Sequence, residues 1–152
     1  MPTDVVGYFK LDPSFPRYLD KLSDAAENAL QEYGEEIKED IIADMAEPKT
    51  GINFGKRTRR SAPGESPAIQ EGALSKSLFS KILKRTLSKS TASSLRVAIG
   101  TDLDYGYELE VGRPRAKDDF GPMLPRPWLS PQLVRLNVRV LAGKLRKRVE
   151  RL

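Results

Sequence analysis

Apolar residues recur at three- and four-residue intervals along the first third of the chain. They are Leu19, Leu22, Ala26, Leu30, Tyr33, Ile37, Ile41 and Met45. This spacing predicts one apolar stripe on a long amphipathic helix. The helix is expected to begin around Pro16 with Ser14 as its cap, and to end at Pro48, whose ring disfavours helical geometry in the preceding residue. Gly34, inside the pattern, indicates a bend or a close contact.

Residues 49–70 have a different composition, rich in Gly, Pro, Ser and Arg and poor in apolar side chains. Because such a segment buries too little apolar surface to order itself, it predicts a flexible loop. The loop is basic, with the cations Lys49, Lys56, Arg57, Arg59 and Arg60. Residues 71–74, which follow the loop, predict the start of a single helical turn.

The pattern then changes to alternation of apolar and polar positions. Residues 78–87 alternate imperfectly and residues 95–99 alternate cleanly, so both segments predict strands. The Ser/Thr-rich link between them favours a hairpin. Residues 105–111 predict a short helix that ends at Gly112.

Prolines and a glycine in residues 113–125 predict a second loop. Residues 129–152 return to helical spacing and predict one C-terminal helix, capped by Ser130. The sequence thus predicts a single α+β domain over residues 1–152. In it, a small antiparallel sheet packs against the long N-terminal helix, accompanied by the C-terminal helix and the long mobile loop.

The chain contains no histidine and no cysteine. Their absence removes the commonest general base, the commonest metal ligand, disulfides and thiolate nucleophiles. Carboxylates one helical turn apart, such as Glu32 and Glu36, are more typical of a solvated face than of a cation site. Residues 51–58 have the wrong spacing for a phosphate loop. The chain is therefore predicted not to be an enzyme and to bind no cofactor or metal.

No apolar run approaches the ~20 residues that are needed to cross a bilayer. The first residues lack the basic and apolar regions of a secretory signal. We therefore expect a soluble protein with no membrane partner.

The formal net charge is +5, but the charges are segregated along the chain. Residues 20–47 are mainly acidic, whereas residues 49–60 and 135–151 are basic. Segregated charge suits binding to a polyanion, and it equally suits self-association through complementary faces. On the second interpretation, the acidic helix of one subunit faces the basic loop or the basic C-terminal helix of the next.

Two aromatic clusters are candidates for an interface. Residues 104–112 contain Tyr105, Tyr107 and Glu110, and residues 124–131 contain Arg126 and Trp128 between prolines. Arginine together with tryptophan and tyrosine is the composition of interface anchors. An internal alternative is equally open, in which Trp128 belongs to the core and Arg126 pairs with Glu110.

Five short motifs, in order along residues 48–132, resemble a known family. They are KTG at 49–51, SAPGESPA at 61–68, EGALSKSL at 71–78, YGYELEVG at 105–112 and RPWLSP at 126–131. Together they resemble the tail-completion and head–tail joining proteins of long-tailed bacteriophages. The chain departs from the family pattern where Glu71, Gly106, Val111 and Arg113 replace the usual Thr, Ala, Phe and Thr.

The resemblance implies a virion protein that forms a ring, commonly a hexamer, at the head-proximal end of the tail. Such a ring caps the tube that the tail tube protein forms, and it docks onto the head-connector or stopper proteins. Assembly takes place in the host cytoplasm. The loop would reach a neighbour, with Arg57, Arg59 and Arg60 at the contact or against DNA that passes through the ring. The resemblance carries no catalytic residue. The alternative function is that of a small basic nucleic-acid-binding protein.

Overall fold

The structure is a computed structural model, and it describes residues 15–52, 60–85, 94–113 and 122–152. The elements are α1 (Phe15–Ala46), α2 (Ala73–Ser77), β1 (Leu78–Arg85), β2 (Ser94–Thr101), α3 (Asp104–Val111), α4 (Ser130–Val134) and α5 (Val138–Val149). The predicted α+β class, with a long N-terminal helix against a small antiparallel sheet and a C-terminal helix, is confirmed. Ser14, the predicted cap, lies outside the described residues.

The sheet is an antiparallel hairpin of β1 and β2 that packs on α1. Leu78 pairs with Thr101 at one end of the register. Gly34 lies where helix and sheet approach each other closely, because a Cβ there would overlap Ser80 Oγ and lie 2.6 Å from Val97 Cγ2. Gly34 therefore marks a close contact, which was one of the two predicted alternatives.

The core lies between α1, the start of the sheet and the segment before α4. Its buried side chains are Ile37, Ile41, Met45, Leu74, Leu78 and Trp128. The first three continue the apolar stripe that predicted α1. The C-terminal helix α5 also packs on α1. None of the helices in the described ranges is long and apolar enough to cross a bilayer.

The C-terminal region is divided into two helices, so the prediction of one continuous helix over residues 129–152 is wrong at residues 135–137. The Asn137 side chain caps α5 by accepting a hydrogen bond from the Arg139 backbone nitrogen at 3.0 Å. The Tyr33 hydroxyl accepts from the Asn137 backbone nitrogen at 2.8 Å and lies 3.3 Å from the Asn137 carbonyl oxygen. Because Tyr33 and the cap satisfy these polar groups, the chain starts a new helix there.

Candidate interaction site

The motifs of the sequence come together in one region of the fold. We call this region the motif cluster and define it as residues 49–51, 61–68, 105–112 and 126–131. Its members are separated by up to about 80 positions along the chain. The contacts that join them are hydrogen bonds, made by side chains to backbone groups, between side chains and between backbone groups.

Glu65 joins the first two motifs. Its carboxylate accepts hydrogen bonds from the Thr50 hydroxyl at 2.6 Å, the Thr50 backbone nitrogen at 3.1 Å and the Ala62 backbone nitrogen at 2.7 Å. The Thr50 hydroxyl is the main cause that lowers the pKa of Glu65, and the two backbone donors add to it. Glu65 was not among the predicted site residues, because backbone partners leave no mark in a sequence.

Lys49, at the start of the basic loop, is held inside the subunit. Its ammonium donates to the Asp44 carbonyl oxygen at 2.6 Å and to Ser66 Oγ at 2.7 Å. The buried Ser66 hydroxyl also donates to the Asp44 carbonyl at 3.2 Å. Lys49 thus ties the end of α1 to the second motif. The mobility predicted for residues 49–70 stays a prediction, and Arg57 and Arg59 lie outside the described residues.

Arg126 joins three motifs. Its Nε donates to the Ser61 carbonyl oxygen at 3.1 Å, and its backbone nitrogen donates to the Leu109 carbonyl oxygen at 2.7 Å. The Gly64 backbone nitrogen donates to the Pro125 carbonyl oxygen at 2.9 Å beside it. Arg126 is therefore a positioning residue of the fold, with its guanidinium directed at backbone rather than at Glu110.

Glu110 caps the start of α4 from a distance. Its Oε2 accepts from the backbone nitrogens of Trp128 at 2.8 Å and Leu129 at 2.9 Å, and its Oε1 accepts from that of Ser130 at 2.9 Å. Burial alone would raise the pKa of Glu110, but the hydrogen bonds from Leu129, Ser130 and Trp128 outweigh burial and lower it. The carboxylate supplies acceptors for helix-end N–H groups that have no partner within α4.

Trp128 lies inside the subunit, with 4% of its surface exposed. Its indole nitrogen donates to the Gly106 carbonyl oxygen at 2.9 Å. This arrangement matches the internal alternative for Trp128, and its side chain is too buried to serve as the predicted interface anchor. Gly106 also has a local reason to differ from the alanine of the family pattern, because a Cβ there would overlap the Thr101 Cγ2 methyl group.

An open groove of about 380 Å³ runs beside the motif cluster. Arg60, Tyr105 and Arg126, three of the predicted interface residues, line it together. Its apolar lining includes Met45, Ile69, Leu74 and Leu109. Tyr107 is 73% exposed and is not among the lining residues. The cluster thus presents two tyrosines at its surface, with Arg60 in the adjoining groove, and keeps Glu110 and Trp128 within the fold.

Lys144 of α5 lies between two carboxylates of α1. Its ammonium is 2.8 Å from Glu32 Oε1 and 2.5 Å from Glu36 Oε1, and Arg148 Nη2 is 2.8 Å from Glu32 Oε2. The hydrogen bond from Lys144, followed by that from Arg148, lowers the pKa of Glu32. The acidic helix was predicted to face the basic C-terminal helix of the next subunit. At these residues the two helices instead pair within one chain, because the hairpin and α4 bring α5 back to α1.

Within the described residues, no group of three or more acidic, histidine or cysteine side chains is placed to hold a metal ion. No model of a known protein family matches the chain, and no curated protein or solved structure has detectable similarity to it. The motif cluster and the surface around it are therefore the features of the chain that bear on its function.

Proposed function

We propose that this protein is a structural subunit of the ring at the head-proximal end of a phage tail, in tail completion or head–tail joining. On this proposal it assembles with copies of itself, with the tail tube protein and with head-connector or stopper proteins. It works as a virion component of the neck and performs no catalysis.

The observation that carries the proposal is the convergence of the motifs. The motifs that resemble the tail-completion family are short segments far apart in the sequence. Four of them form one hydrogen-bonded cluster through Glu65, Arg126 and Glu110. The remaining motif, residues 71–78, forms α2 and places Leu74 and Leu78 in the same core. Segments that share one structural role are expected to lie together, so the convergence supports treating the motifs as a set.

The surface of the cluster supports an assembly role. Tyr105 and Tyr107 are exposed at 41% and 73%. Arg60 is also exposed beside the groove. Tyrosine and arginine supply much of the binding energy at protein interfaces, because each offers a large contact area together with a polar group.

The test is to image the purified protein by negative-stain electron microscopy and to measure its mass in solution, alone and with isolated tail tubes. Rings, free or at one end of the tubes, are expected. A chain that stays monomeric and associates with neither tubes nor connectors would overturn the proposal.

A pair of matched variants adds a residue-level test. Tyr107→Ser removes an exposed ring from the motif cluster, and Tyr18→Ser removes an exposed ring from the start of α1, outside it. We expect Tyr107→Ser to weaken ring formation or tube binding by about tenfold, the size of one interface hot spot of ~1.4 kcal/mol. Unchanged thermal stability in both variants separates assembly from folding.

The same preparation tests the nucleic-acid alternative. Duplex binding that falls steeply with salt, and is lost when Arg57, Arg59 and Arg60 are changed to alanine, would favour that alternative. Lys49 and Lys144 already donate to partners within the subunit, which leaves fewer cations for phosphate groups. This internal use of charge supports a protein partner over DNA.

A further inference from the structure

The turn between α4 and α5 carries a concentrated apolar surface. We call it the α4–α5 patch, formed by Leu133, Val134, Leu136, Val138 and Val140. These five side chains lie within eight residues, and each is at least 42% exposed, with Val134 at 87% and Val138 at 77%. Single exposed apolar residues are ordinary, but five of them so close together in the sequence of a small domain indicate an interaction surface.

Two cations flank the patch. Arg135 and Arg139 are exposed, and each lies next to patch residues in the sequence. If two copies joined patch to patch, a two-fold axis would bring the arginines of both copies into one interface. Like charges placed together at an interface cost free energy, so a symmetric dimer through this surface is disfavoured.

The same chain carries a surface of opposite charge on the second half of α1. We call it the α1 acidic stripe, formed by Glu39, Asp40, Ala43 and Glu47, all exposed. Helical spacing places Glu39 and Ala43 on one side of α1, and Glu47 directly follows the helix, with its backbone nitrogen 3.2 Å from the Ala43 carbonyl oxygen. Glu36 and Glu32 lie one and two helical turns before Asp40. Their carboxylates already form ion pairs with Lys144 and Arg148 of the same chain. The stripe is therefore exposed acidic surface that these ion pairs with α5 leave unoccupied.

We propose that the α4–α5 patch of one copy binds the α1 acidic stripe of a second copy, with Arg135 and Arg139 against Glu39 and Asp40. The small Ala43 side chain leaves room for the valines of the patch between the flanking charges. Because the two surfaces differ, the contact is head-to-tail, and repetition of a head-to-tail contact closes a ring or extends a filament. The ring geometry rests on the proposed function, whereas the contact itself does not.

The test is a charge exchange. Arg135→Glu with Arg139→Glu reverses one side, Glu39→Lys with Asp40→Lys reverses the other, and a third variant carries all four changes. Self-association is measured by sedimentation over a range of concentrations. Each reversal alone is expected to weaken association by about tenfold or more, and the fourfold variant to recover most of that loss. Lys147→Glu with Arg151→Glu is the matched control, with the same charge change at exposed positions farther along the chain.

The apolar half of the contact has its own variant. Val134→Ser with Val138→Ser should weaken association with little loss of thermal stability, since both side chains are mostly exposed. Leu83→Ser, at a residue of β1 that is 47% exposed and lies outside the patch, is the control and should leave association unchanged.

The outcomes separate this contact from the proposed function. Rings that persist unchanged in both charge-reversed variants overturn the contact and leave the ring subunit standing. Association strengthened by Arg135→Glu with Arg139→Glu alone also overturns it, in favour of patch-to-patch pairing. Head-to-tail oligomers rescued by the exchange, in a protein that ignores tail tubes and connectors, support the contact and count against the phage role. A wild-type chain that is monomeric under every condition overturns both.

Discussion

The Glu110 carboxylate accepts a hydrogen bond at 2.8 Å from the backbone nitrogen of Trp128, eighteen positions later in the chain. Two further backbone donors complete the cap. We expect Glu110→Ala to lower the free energy of unfolding by about 1.5–3 kcal/mol, since three N–H groups lose a charged acceptor. Urea denaturation measures the loss. Glu150→Ala, which removes an exposed pair with Arg146, is the control and should cost under about 0.5 kcal/mol.

Acid should remove the Glu110 contribution in a defined pH window. Its pKa in the folded protein lies below the ordinary value of 4.5, so near pH 4 the unfolded chain binds more protons than the folded one. The stabilisation is therefore complete above about pH 5 and is lost as pH falls below 4.5 towards the folded pKa. The stability difference between wild type and Glu110→Gln should shrink over that range. A difference that is constant from pH 7 to pH 3 would contradict the assignment.

Two glycines in helices should respond to alanine in opposite directions. At Gly34 a Cβ would overlap Ser80 and crowd Val97, so Gly34→Ala should destabilise by about 1–3 kcal/mol despite the better helix propensity of alanine. At Gly143, in α5, the same position has no atom within 4 Å from the rest of the described chain beyond its immediate neighbours and the backbone of its own helix. Gly143→Ala should therefore stabilise by about 0.5–1 kcal/mol. Thermal unfolding of both variants decides the sign, and a stabilising Gly34→Ala would mean that α1 lies farther from the sheet.

The methyl group of Thr101 should determine whether alanine is tolerated at Gly106. Gly106→Ala alone is expected to cost about 1–3 kcal/mol through overlap with Thr101 Cγ2. Thr101→Ser removes that methyl group and retains the hydroxyl, which lies 2.5 Å from Ser77 Oγ and 3.2 Å from the Leu103 nitrogen. The double variant should recover most of the loss in a double-mutant cycle. Additive effects would show that the two positions do not touch.

Lys144→Met should weaken the docking of α5 on α1 most strongly at low salt. The change keeps the aliphatic stem and removes the cation between Glu32 and Glu36. The melting temperature should fall, and the fall should shrink as salt screens these half-exposed carboxylates. Without Lys144, the pKa of Glu32 should rise towards its ordinary value, which carbon-detected NMR titration can follow. Lys147→Met, at an exposed position on the same helix, should change neither quantity.

The parts of the fold that depend on local pattern were predictable. The apolar stripe placed α1 close to its observed limits, and alternation located both strands. The break before α5 was not predictable, because Asn137 starts a helix only where Tyr33, 104 positions earlier, binds its backbone. Local spacing continues through this point, so the pattern alone favours one helix.

The candidate site was predictable in composition but not in its division between interior and surface. The aromatic and charged side chains of residues 105–112 and 126–131 make both segments candidates for an interface. Composition alone, however, does not distinguish an interface anchor from a core residue. The Trp128 indole donates to a backbone carbonyl, and the Glu110 carboxylate accepts from three backbone nitrogens. Because every sequence provides such backbone groups, the sequence does not reveal that these two side chains are held within the subunit. Glu65 was missed for the same reason.

The internal hydrogen bonds of the motif cluster affect how a mutational screen for assembly should be designed. Random substitution at the motif positions would mostly yield chains that misfold, and loss of assembly would then report loss of structure. Libraries restricted to Tyr107, Val134 and Val138, whose side chains are largely exposed, would instead report contacts between molecules. The motif positions whose hydrogen bonds hold the cluster together, such as Glu65, Glu110 and Arg126, are thus poor places to search for what the chain binds.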